Sequence, residues 1–223
     1  MATKEEDLIR RISSVIGHEI RNPMAVLSNS LYFIKSKIDL ETVDPKVKKH
    51  IGFLQSEISN LDRLISRMLA FSRPIEPKLE LANVNTLIEE CLSSFEFPPK
   101  IKFRKKLAAS NPQINIDAAL FSMALKNLIQ NAIDSMSEGG EIVISSEVSV
   151  REILIAVSDS GPGISAADLP RLFEPYSTTK PRGLGLGLAL VKKIALAHKG
   201  RAEGENLSAG AGHTVCHRGL RSG

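Results

Sequence analysis

The strongest constraint in this sequence is a row of apolar residues in its first third that repeats with heptad spacing. Its members lie alternately three and four residues apart: Ile51, Leu54, Ile58, Leu61, Ile65 and Met68. This spacing places one continuous apolar stripe along a long α-helix. An earlier stripe is formed by Ile12, Ile16, Ile20, Leu27, Leu31, Ile34 and Ile38. Residues 39–45 between the stripes are polar and end in Asp-Pro, which predicts a turn between two antiparallel helices.

A lone helical hairpin buries two such stripes poorly, so the first part of the chain predicts an assembly. Two paired hairpins bury both stripes in a four-helix bundle, and we therefore expect a homodimer. The alternative is that the hairpin packs against the rest of the chain. Pro74 and Pro77 then end the helix and favour a stiff, extended linker. We predict a helical domain over residues 1–73, a linker over 74–80 and a second domain over 81–223.

Helices and short strands alternate beyond the linker, which predicts an α/β sandwich. The candidate helices cover residues 83–95, 118–136 and 184–198. The candidate strands cover residues 100–107, 141–148 and 153–158, with a short apolar piece at 114–116. Asp117 is suited to cap the second helix. The whole chain is therefore predicted to be an α+β protein of two domains.

Composition and charge exclude several classes of function. Hydrophobic residues make up 43% of the chain and charged residues 24%, as in an ordinary globular protein. The net charge of +4, the absence of Trp and the presence of only eight Phe and two Tyr argue against nucleic-acid binding. No apolar run reaches the length of a membrane span, and two cysteines cannot form a disulfide framework. We expect no membrane segment in this chain and a cytoplasmic location.

His18 is the first candidate for chemistry. On a helix it lies opposite the apolar stripe, and Asn22 lies one turn away on the same exposed face. Glu19 is adjacent, and Pro23 removes a backbone donor. An exposed imidazole beside a carboxylate can act as a nucleophile, whereas a lone surface histidine is more often merely solvated. Its role therefore depends on the motifs that follow.

Asn127, Asn131 and Asp134 form a polar stripe on an otherwise apolar helix, at positions i, i+4 and i+7. Amides among apolar neighbours need partners. Their oxygens suit Mg²⁺, which keeps water and phosphate oxygens as its other ligands. The alternative is that the two asparagines only cap neighbouring loops.

Asp159 follows an apolar strand directly and is succeeded by Gly161, Gly163 and Ile164. An aspartate at a strand end, with glycines that allow close backbone approach, suits recognition of a flat polar ligand. An ordinary strand-to-turn exit has the same pattern. This motif alone therefore leaves the ligand site and the simple turn equally open.

Gly183, Gly185 and Gly187 alternate with leucines and run straight into a helix. Free backbone N–H groups and the positive end of a helix form an anion site. The order of the glycines matches neither the Walker loop nor the Rossmann fingerprint. A nucleotide site of another kind is implied.

In this order, the stretches resemble the core of a sensor histidine kinase of two-component signalling. Residues 14–23 resemble the phosphoacceptor box, 127–134 the N box, 159–164 the first glycine box, 172–180 the F box and mobile lid, and 183–188 the second glycine box. The likeness runs from about residue 8 to 200, and five ordered motifs make it specific. The second half also resembles the wider ATPase superfamily of gyrase and mismatch-repair ATPases, which implies a Bergerat-type fold.

The resemblance implies an enzyme that binds Mg-ATP, phosphorylates itself on His18 and passes the phosphoryl group to an aspartate of a response regulator. Glu19 would orient the imidazole, and Asn22 would orient water in a regulator phosphatase reaction. Asn131 would ligate Mg²⁺, and Asp159 would accept a hydrogen bond from the adenine amino group. The implied ATP-binding residues are Asn127, Asn131, Asp134, Asp159, Gly161, Gly163, Ile164, Phe173, Tyr176, Lys180, Gly183, Leu184, Gly185, Leu186, Gly187 and Thr214.

Two other functions compete with the kinase. One is a catalytically quiet dimeric signalling scaffold. The other is an ATP-driven conformational clamp, which Asn127 disfavours, because hydrolysing relatives carry a water-activating glutamate there and an amide is no base.

The sequence departs from the family pattern after residue 200. Residues 216–223 contain two arginines, two glycines and few β-formers, so we expect no closing strand there and a frayed sheet edge. His213, Cys216 and His217 are expected to be incidental rather than a metal site. No sensor segment is visible, so we expect either the cytoplasmic part of a larger sensor or a small kinase with a partner as its input.

Overall fold

The computed structural model describes residues 4–39, 41–149, 152–178, 184–206 and 213–220. It divides into two units, with the boundary after Pro74. No helix in the described ranges combines the length and the apolar character that a membrane crossing requires.

The first unit is an antiparallel pair of long helices. Helix α1 spans Lys4–Lys37 and continues through Pro23, and helix α2 spans Pro45–Ser72. Asp44 caps α2, since its side chain accepts a hydrogen bond from the backbone N–H of Lys46 at 2.7 Å. The predicted hairpin and its turn are confirmed.

The apolar residues of the hairpin form an inner and an outer row, which combine members of the predicted stripes with Met24, Val47 and Leu69, residues outside those stripes. The inner row is buried between the two helices and comprises Met24, Leu31, Ile51, Ile65 and Leu69. The outer row stays 38–55% exposed and comprises Ile20, Leu27, Ile34, Val47, Leu54 and Leu61. One hairpin therefore buries only part of the apolar surface that its heptad pattern provides.

The second unit contains a five-stranded sheet, in the order β2-β4-β5-β7-β6, and a two-stranded sheet of β1 and β3. The strands are β1 (Glu80–Asn83), β2 (Ile101–Lys106), β3 (Gln113–Ile116), β4 (Gly140–Val148), β5 (Glu152–Asp159), β6 (Arg201–Asn206) and β7 (His213–Leu220). The helices are α3 (Val84–Ser93), α4 (Ala118–Ser135) and α5 (Gly187–Ala197), with a 3₁₀ turn at Leu169–Arg171. Strands β2 and β4 are parallel, and the other neighbours are antiparallel.

The core of this unit lies between the sheet and helices α4 and α5. Alternate residues of β5 are at most 2% exposed, among them Ile153, Ile155 and Val157. Ile155 lines one small apolar cavity together with Leu125 of α4 and Ile194 of α5. This packing fixes both helices against the strand that ends in Asp159, which is how the fold positions the site.

Most of the predicted elements of the second unit are confirmed. Asp117 caps α4 by accepting from the backbone N–H of Leu120 at 3.0 Å. Strands β4 and β5 pair antiparallel, as predicted. Strand β1 was not predicted, because its four residues begin at the end of the expected linker and pair with the equally short β3.

The expectation of a strandless tail is wrong. Strand β7 spans His213–Leu220 and pairs with β5 on one side and β6 on the other, so it lies inside the sheet. The outer strands are β2 and β6, and the expected frayed edge after residue 216 is also wrong. Two flanking strands give the β7 backbone a ladder on both sides, and this outweighs weak intrinsic β-propensity. The side chains of His213, Cys216 and His217 lie outside the described part, so their incidental role stays a prediction.

Candidate functional site

The site begins where β5 ends, at a buried carboxylate. Asp159 is 3% exposed. Its Oδ1 accepts hydrogen bonds from the backbone N–H of Gly161 at 2.8 Å and from the hydroxyl of Ser135 at 3.3 Å. A Cβ on Gly161 would stand 2.6 Å from that Oδ1 and 2.7 Å from the Ser135 Oγ, so any larger residue would displace the Asp159 or Ser135 side chain. The first glycine box therefore holds one carboxylate oxygen in a fixed place beside the end of α4.

The loop that follows turns at Gly163, whose φ of +78° favours glycine. At Ile164 the loop is hydrogen-bonded to the last residue of strand β6. The backbone N–H of Ile164 donates to the Asn206 Oδ1 at 2.8 Å, and the Asn206 Nδ2 donates back to the Ile164 carbonyl at 2.7 Å. Sequence reasoning missed Asn206, because nothing in a single sequence links a strand-end asparagine to a loop 42 residues earlier.

The N box meets the second glycine box across α4 and α5. The Asn127 Oδ1 lies 3.3 Å from the position of a Cβ on Gly187, the first residue of α5. The Asn127 Nδ2 donates to the Met123 carbonyl at 2.8 Å, which turns the amide oxygen towards the start of α5. The N-terminus of a helix carries free N–H groups and partial positive charge, so it favours an anionic ligand.

The other two residues of the polar stripe differ in exposure. Asn131 is half-buried, one turn beyond Asn127. Asp134 is exposed and accepts a hydrogen bond from the Gln130 Nε2 at 2.7 Å.

The F-box segment meets the second glycine box as well. The backbone N–H of Tyr176 donates to the Gly185 carbonyl at 3.2 Å, and both residues have positive φ, +63° and +61°. A Cβ on Gly185 would stand 2.5 Å from the Ser177 carbonyl oxygen, so the approach requires glycine. Leu186 is buried beside it at 2% exposure.

For four predicted residues around this segment, the structure gives either the burial alone or no description. Phe173 and Leu184 are half-buried. Lys180 and Gly183 lie outside the described residues, so their predicted contacts with nucleotide remain predictions.

Asp117, predicted only as a cap, joins three segments around the site. Its Oδ2 accepts from the backbone N–H of Lys78 at 2.9 Å, and its own N–H donates to the His198 Nε2 at 3.0 Å. The His198 Nδ1 lies 2.8 Å from the Ile194 carbonyl, so this nitrogen carries the proton and donates. The start of α4, which carries the N box, is thus bonded to the end of α5, which begins at the second glycine box.

The charge of Asp117 is stabilised by these neighbours. Burial by itself raises the pKa of Asp117, but backbone N–H donors from Leu120, Lys78 and Ala119 outweigh it and hold the pKa below its ordinary value. The Asp117 carboxylate is therefore ionised well into mildly acidic solution.

The phosphoacceptor box lies in α1 of the first unit. The side chains of His18 and Glu19 are outside the described part, and for these residues only the helical backbone is given. Asn22 is exposed, as predicted. Next to it, Arg21 donates to the Ser66 hydroxyl at 3.3 Å, so this level of α1 is bonded to α2.

For Thr214, only the backbone position in strand β7 is described. It pairs in register with Ser158 of β5 and with Glu205 of β6, one position from Asp159. Its predicted contact with nucleotide is untested, because its side chain lies outside the described part.

Comparison with known proteins gives matches for both units. The family model "His Kinase A (phospho-acceptor) domain" matches residues 8–77, and the model "Histidine kinase-, DNA gyrase B-, and HSP90-like ATPase" matches residues 116–218. The signal transduction histidine-protein kinase AtoS of Escherichia coli (strain K12) is 30% identical over 189 residues. That alignment covers 83% of this chain and 30% of AtoS, so the chain spans about a third of this relative.

Two solved structures extend the comparison. The nucleotide-free catalytic domain of the histidine kinase ThkA is 30% identical, with a TM-score of 0.59, and 65% of this chain covers 96% of it. ThkA in complex with the response regulator protein TrrA is 28% identical, with a TM-score of 0.69, over 95% of this chain and 61% of that chain.

Proposed function

The chain belongs to the histidine kinase family of two-component signalling, and on that premise we propose that it is the kinase core of such a system. It binds Mg-ATP, phosphorylates itself on His18 and passes the phosphoryl group to an aspartate of a response regulator. The observation that carries this proposal is the convergence of the motifs of the second unit. The Asn127 Oδ1 of the N box lies 3.3 Å from where a Cβ on Gly187 of the second glycine box would stand, and the F-box segment is bonded to Gly185.

The adenine end of the site is assigned to Asp159. A buried carboxylate with one oxygen held by Gly161 and Ser135 is a strong acceptor for an N–H donor such as the adenine amino group. The phosphates are assigned to the start of α5, where backbone N–H groups and the helix dipole favour anions. Asn127 borders that place and supports the assignment.

Mg²⁺ accompanies the phosphates, and Asn131 is assigned as its protein ligand. A side-chain amide oxygen is a hard donor of the kind that Mg²⁺ accepts, with water and phosphate oxygens completing the shell. When bound, the ion neutralises charge on the phosphates. The half-buried position of Asn131, one turn beyond Asn127 on α4, is compatible with this role.

The chemistry consists of two phosphoryl transfers, first from ATP to His18 and then from His18 to the regulator. A nitrogen of His18 attacks the γ-phosphorus, the new N–P bond forms as the bond to the bridging oxygen breaks, and ADP leaves. Glu19 orients the imidazole and favours its reactive form. An aspartate of the regulator then attacks the same phosphorus, and the N–P bond breaks. Asn127 stands where a hydrolytic enzyme needs a base, so hydrolysis of ATP by water is expected to be slow.

The kinase acts as a homodimer in this proposal. The outer apolar row of the hairpin remains 38–55% exposed within one chain, and a second hairpin would cover it in a four-helix bundle. The match of residues 8–77 to the His Kinase A domain supports the same assembly.

The partner of the phosphorylated form is the receiver domain of a response regulator. ThkA, to which this chain is similar over 95% of its length, is known in complex with such a regulator. Exposed Asn22, one turn from His18, is assigned to orienting water when the same chain acts as a regulator phosphatase. We place the protein in the cytoplasm, where its free, buried Cys91 and its ATP requirement both fit.

The catalytically quiet scaffold is disfavoured. An irregular tail that damaged the nucleotide unit would favour such a scaffold, yet β7 is paired on both sides within the sheet.

The test is incubation of the purified chain with γ-labelled ATP and Mg²⁺, beside the variants His18→Ala, Asn131→Ala and His50→Ala. We expect acid-labile, base-stable label on the wild type and on the His50→Ala variant, whose exposed histidine lies elsewhere on the hairpin. Neither His18→Ala nor Asn131→Ala should be labelled. Label that survives His18→Ala would contradict the assigned phosphoacceptor, and nucleotide binding without label would favour the scaffold.

A further inference from the structure

We propose that Asn206 is a positioning residue of the nucleotide site, which holds the far end of the first glycine-box loop and thereby sets ATP affinity. The inference rests on the proposed function, because it concerns the shape of the same ATP pocket. None of the sequence motifs includes Asn206, which ends strand β6.

The contact is a matched two-point pair. The Asn206 Oδ1 accepts from the Ile164 N–H at 2.8 Å, while its Nδ2 donates to the Ile164 carbonyl at 2.7 Å. The amide thus satisfies both backbone groups of one residue, as a neighbouring strand would. Aspartate has the same shape but no donor, and alanine has neither group. Asparagine is therefore required for the complete pair.

The loop needs this second attachment because of its own composition. Residues 160–164 contain two glycines, and the turn at Gly163 has a φ of +78°. Glycine loses more conformational freedom on ordering than any other residue. At the near end of the loop, the Gly161 N–H donates to the Asp159 Oδ1 at 2.8 Å. At the far end, Ile164 is hydrogen-bonded to Asn206. With both ends bonded, the loop is ordered before nucleotide arrives.

Without the hydrogen bonds to Asn206, the loop would be ordered only when nucleotide binds. The loss of conformational entropy would then oppose binding, and the affinity for nucleotide would fall. The phosphoryl transfer itself takes place at the other end of ATP, at the γ-phosphate. Asn206 should therefore change the KM for ATP and the Kd for ADP, and leave kcat at saturating ATP unchanged. A residue that only stabilised the fold would lower the thermal midpoint and the kinase rate together.

The experiment uses the full chain and compares Asn206→Ala and Asn206→Asp with Glu205→Ala, a substitution of the exposed neighbour on the same strand. The readouts are autophosphorylation kinetics over a range of ATP concentrations, calorimetric binding of Mg-ADP and thermal unfolding. We expect Asn206→Ala to raise the KM and the Kd about tenfold, as for the loss of two hydrogen bonds. Asn206→Asp should raise them about threefold, and Glu205→Ala should change neither.

The outcomes separate this inference from the proposed function. An active wild type with an unchanged KM and Kd in Asn206→Ala overturns the role of Asn206 and leaves the kinase intact. A kcat and a thermal midpoint that fall in step with affinity also overturn it, in favour of a general structural role. A wild type that binds neither ATP nor ADP overturns the proposed function, and the positioning role with it.

Discussion

The two units of this chain bury their apolar residues in opposite ways. Within the described residues, the hairpin exposes ten large hydrophobic side chains and buries five. The second unit, residues 75–223, is named the ATP-binding unit after its proposed ligand. Its described part exposes six large hydrophobic side chains and buries most of its apolar strand and helix positions, including Ile129, Ile142 and Val191 at 0% exposure. The hairpin thus keeps an exposed apolar face, whereas the second unit buries most of its apolar residues within one chain.

The difference follows from geometry. Two helices meet along one line, so a heptad stripe on each is only partly covered by the other. A sheet packed against helices covers a surface rather than a line, because alternate residues of every strand face the same layer. The hairpin alone therefore leaves part of its apolar surface exposed, whereas the ATP-binding unit buries its apolar residues through its own topology. Four substitutions test this contrast, from the largest expected effect to the smallest.

The largest effect is expected from Leu54→Asp in the outer row of the hairpin. By two-fold symmetry the charge would be buried twice in the bundle, at a cost of at least about 3 kcal/mol for each copy. Light scattering should show a monomer at concentrations where the wild type is a dimer, with unchanged ADP binding. The control is Phe53→Asp, which changes an adjacent and equally exposed side chain, 56% against 55%, outside the row. Equal effects of both substitutions would refute the outer row as the interface.

Next comes Ile129→Ala in α4, at a position with 0% exposure. The cavity should lower the free energy of unfolding of the ATP-binding unit by about 2–5 kcal/mol. Urea titration followed by circular dichroism should show an earlier first transition, with the helical signal of the hairpin retained to the original midpoint. A single transition that shifts as a whole would show that the units unfold together.

A smaller effect is expected from Asp159→Asn. Loss of the charged acceptor should weaken ADP binding by about 2 kcal/mol, roughly thirtyfold, with the dimer unchanged. Calorimetry measures the affinity and light scattering the assembly. The matched control is Asp168→Asn, an exposed aspartate whose Oδ2 accepts from Ser165 at 2.6 Å on the same loop region. Retained affinity in Asp159→Asn would remove the carboxylate from the adenine site.

The smallest effect concerns the pH dependence that Asp117 contributes. The pKa of this group is lowered on folding, so its ionised form stabilises the fold at and above the ordinary pKa of about 4. That stabilisation is lost as the pH falls through the folded-state pKa. Asp117→Ala should lower the free energy of unfolding by about 1 kcal/mol at pH 7. Denaturant titrations should show this difference shrinking below pH 4. Asp117→Asn keeps a capping oxygen and should remove the pH dependence while retaining part of the stability.

Much of the fold was predictable from local patterns. The Asp-Pro turn, the Asp117 cap and the β4–β5 pair depend on neighbours in sequence, and all three are confirmed. The glycine of the second glycine box was predictable as well, because Gly185 has a positive φ and a Cβ there would stand 2.5 Å from the Ser177 carbonyl oxygen.

Three features were not predictable, and each depends on residues that are distant in sequence. Strand β7 forms because β5 and β6 flank it, in spite of its arginine and its glycine. The apolar residues of the hairpin separate into a buried and an exposed row only when the two helices lie side by side. Asn206 reaches Ile164 only because the end of β6 lies beside the loop that follows β5.

The sequence by itself therefore determined the helical hairpin, the helices of the second unit, the β4–β5 pair and the division into two units. These follow from local periodicity, capping and the conformational demands of glycine and proline. The tertiary structure alone decided that β7 lies between β5 and β6, which apolar row of the hairpin stays exposed and that Asn206 is bonded to the loop after β5. Those outcomes depend on hydrogen bonds and burial between segments that are distant in sequence, such as Ile164 and Asn206, which lie 42 residues apart, and no local pattern encodes such a pairing.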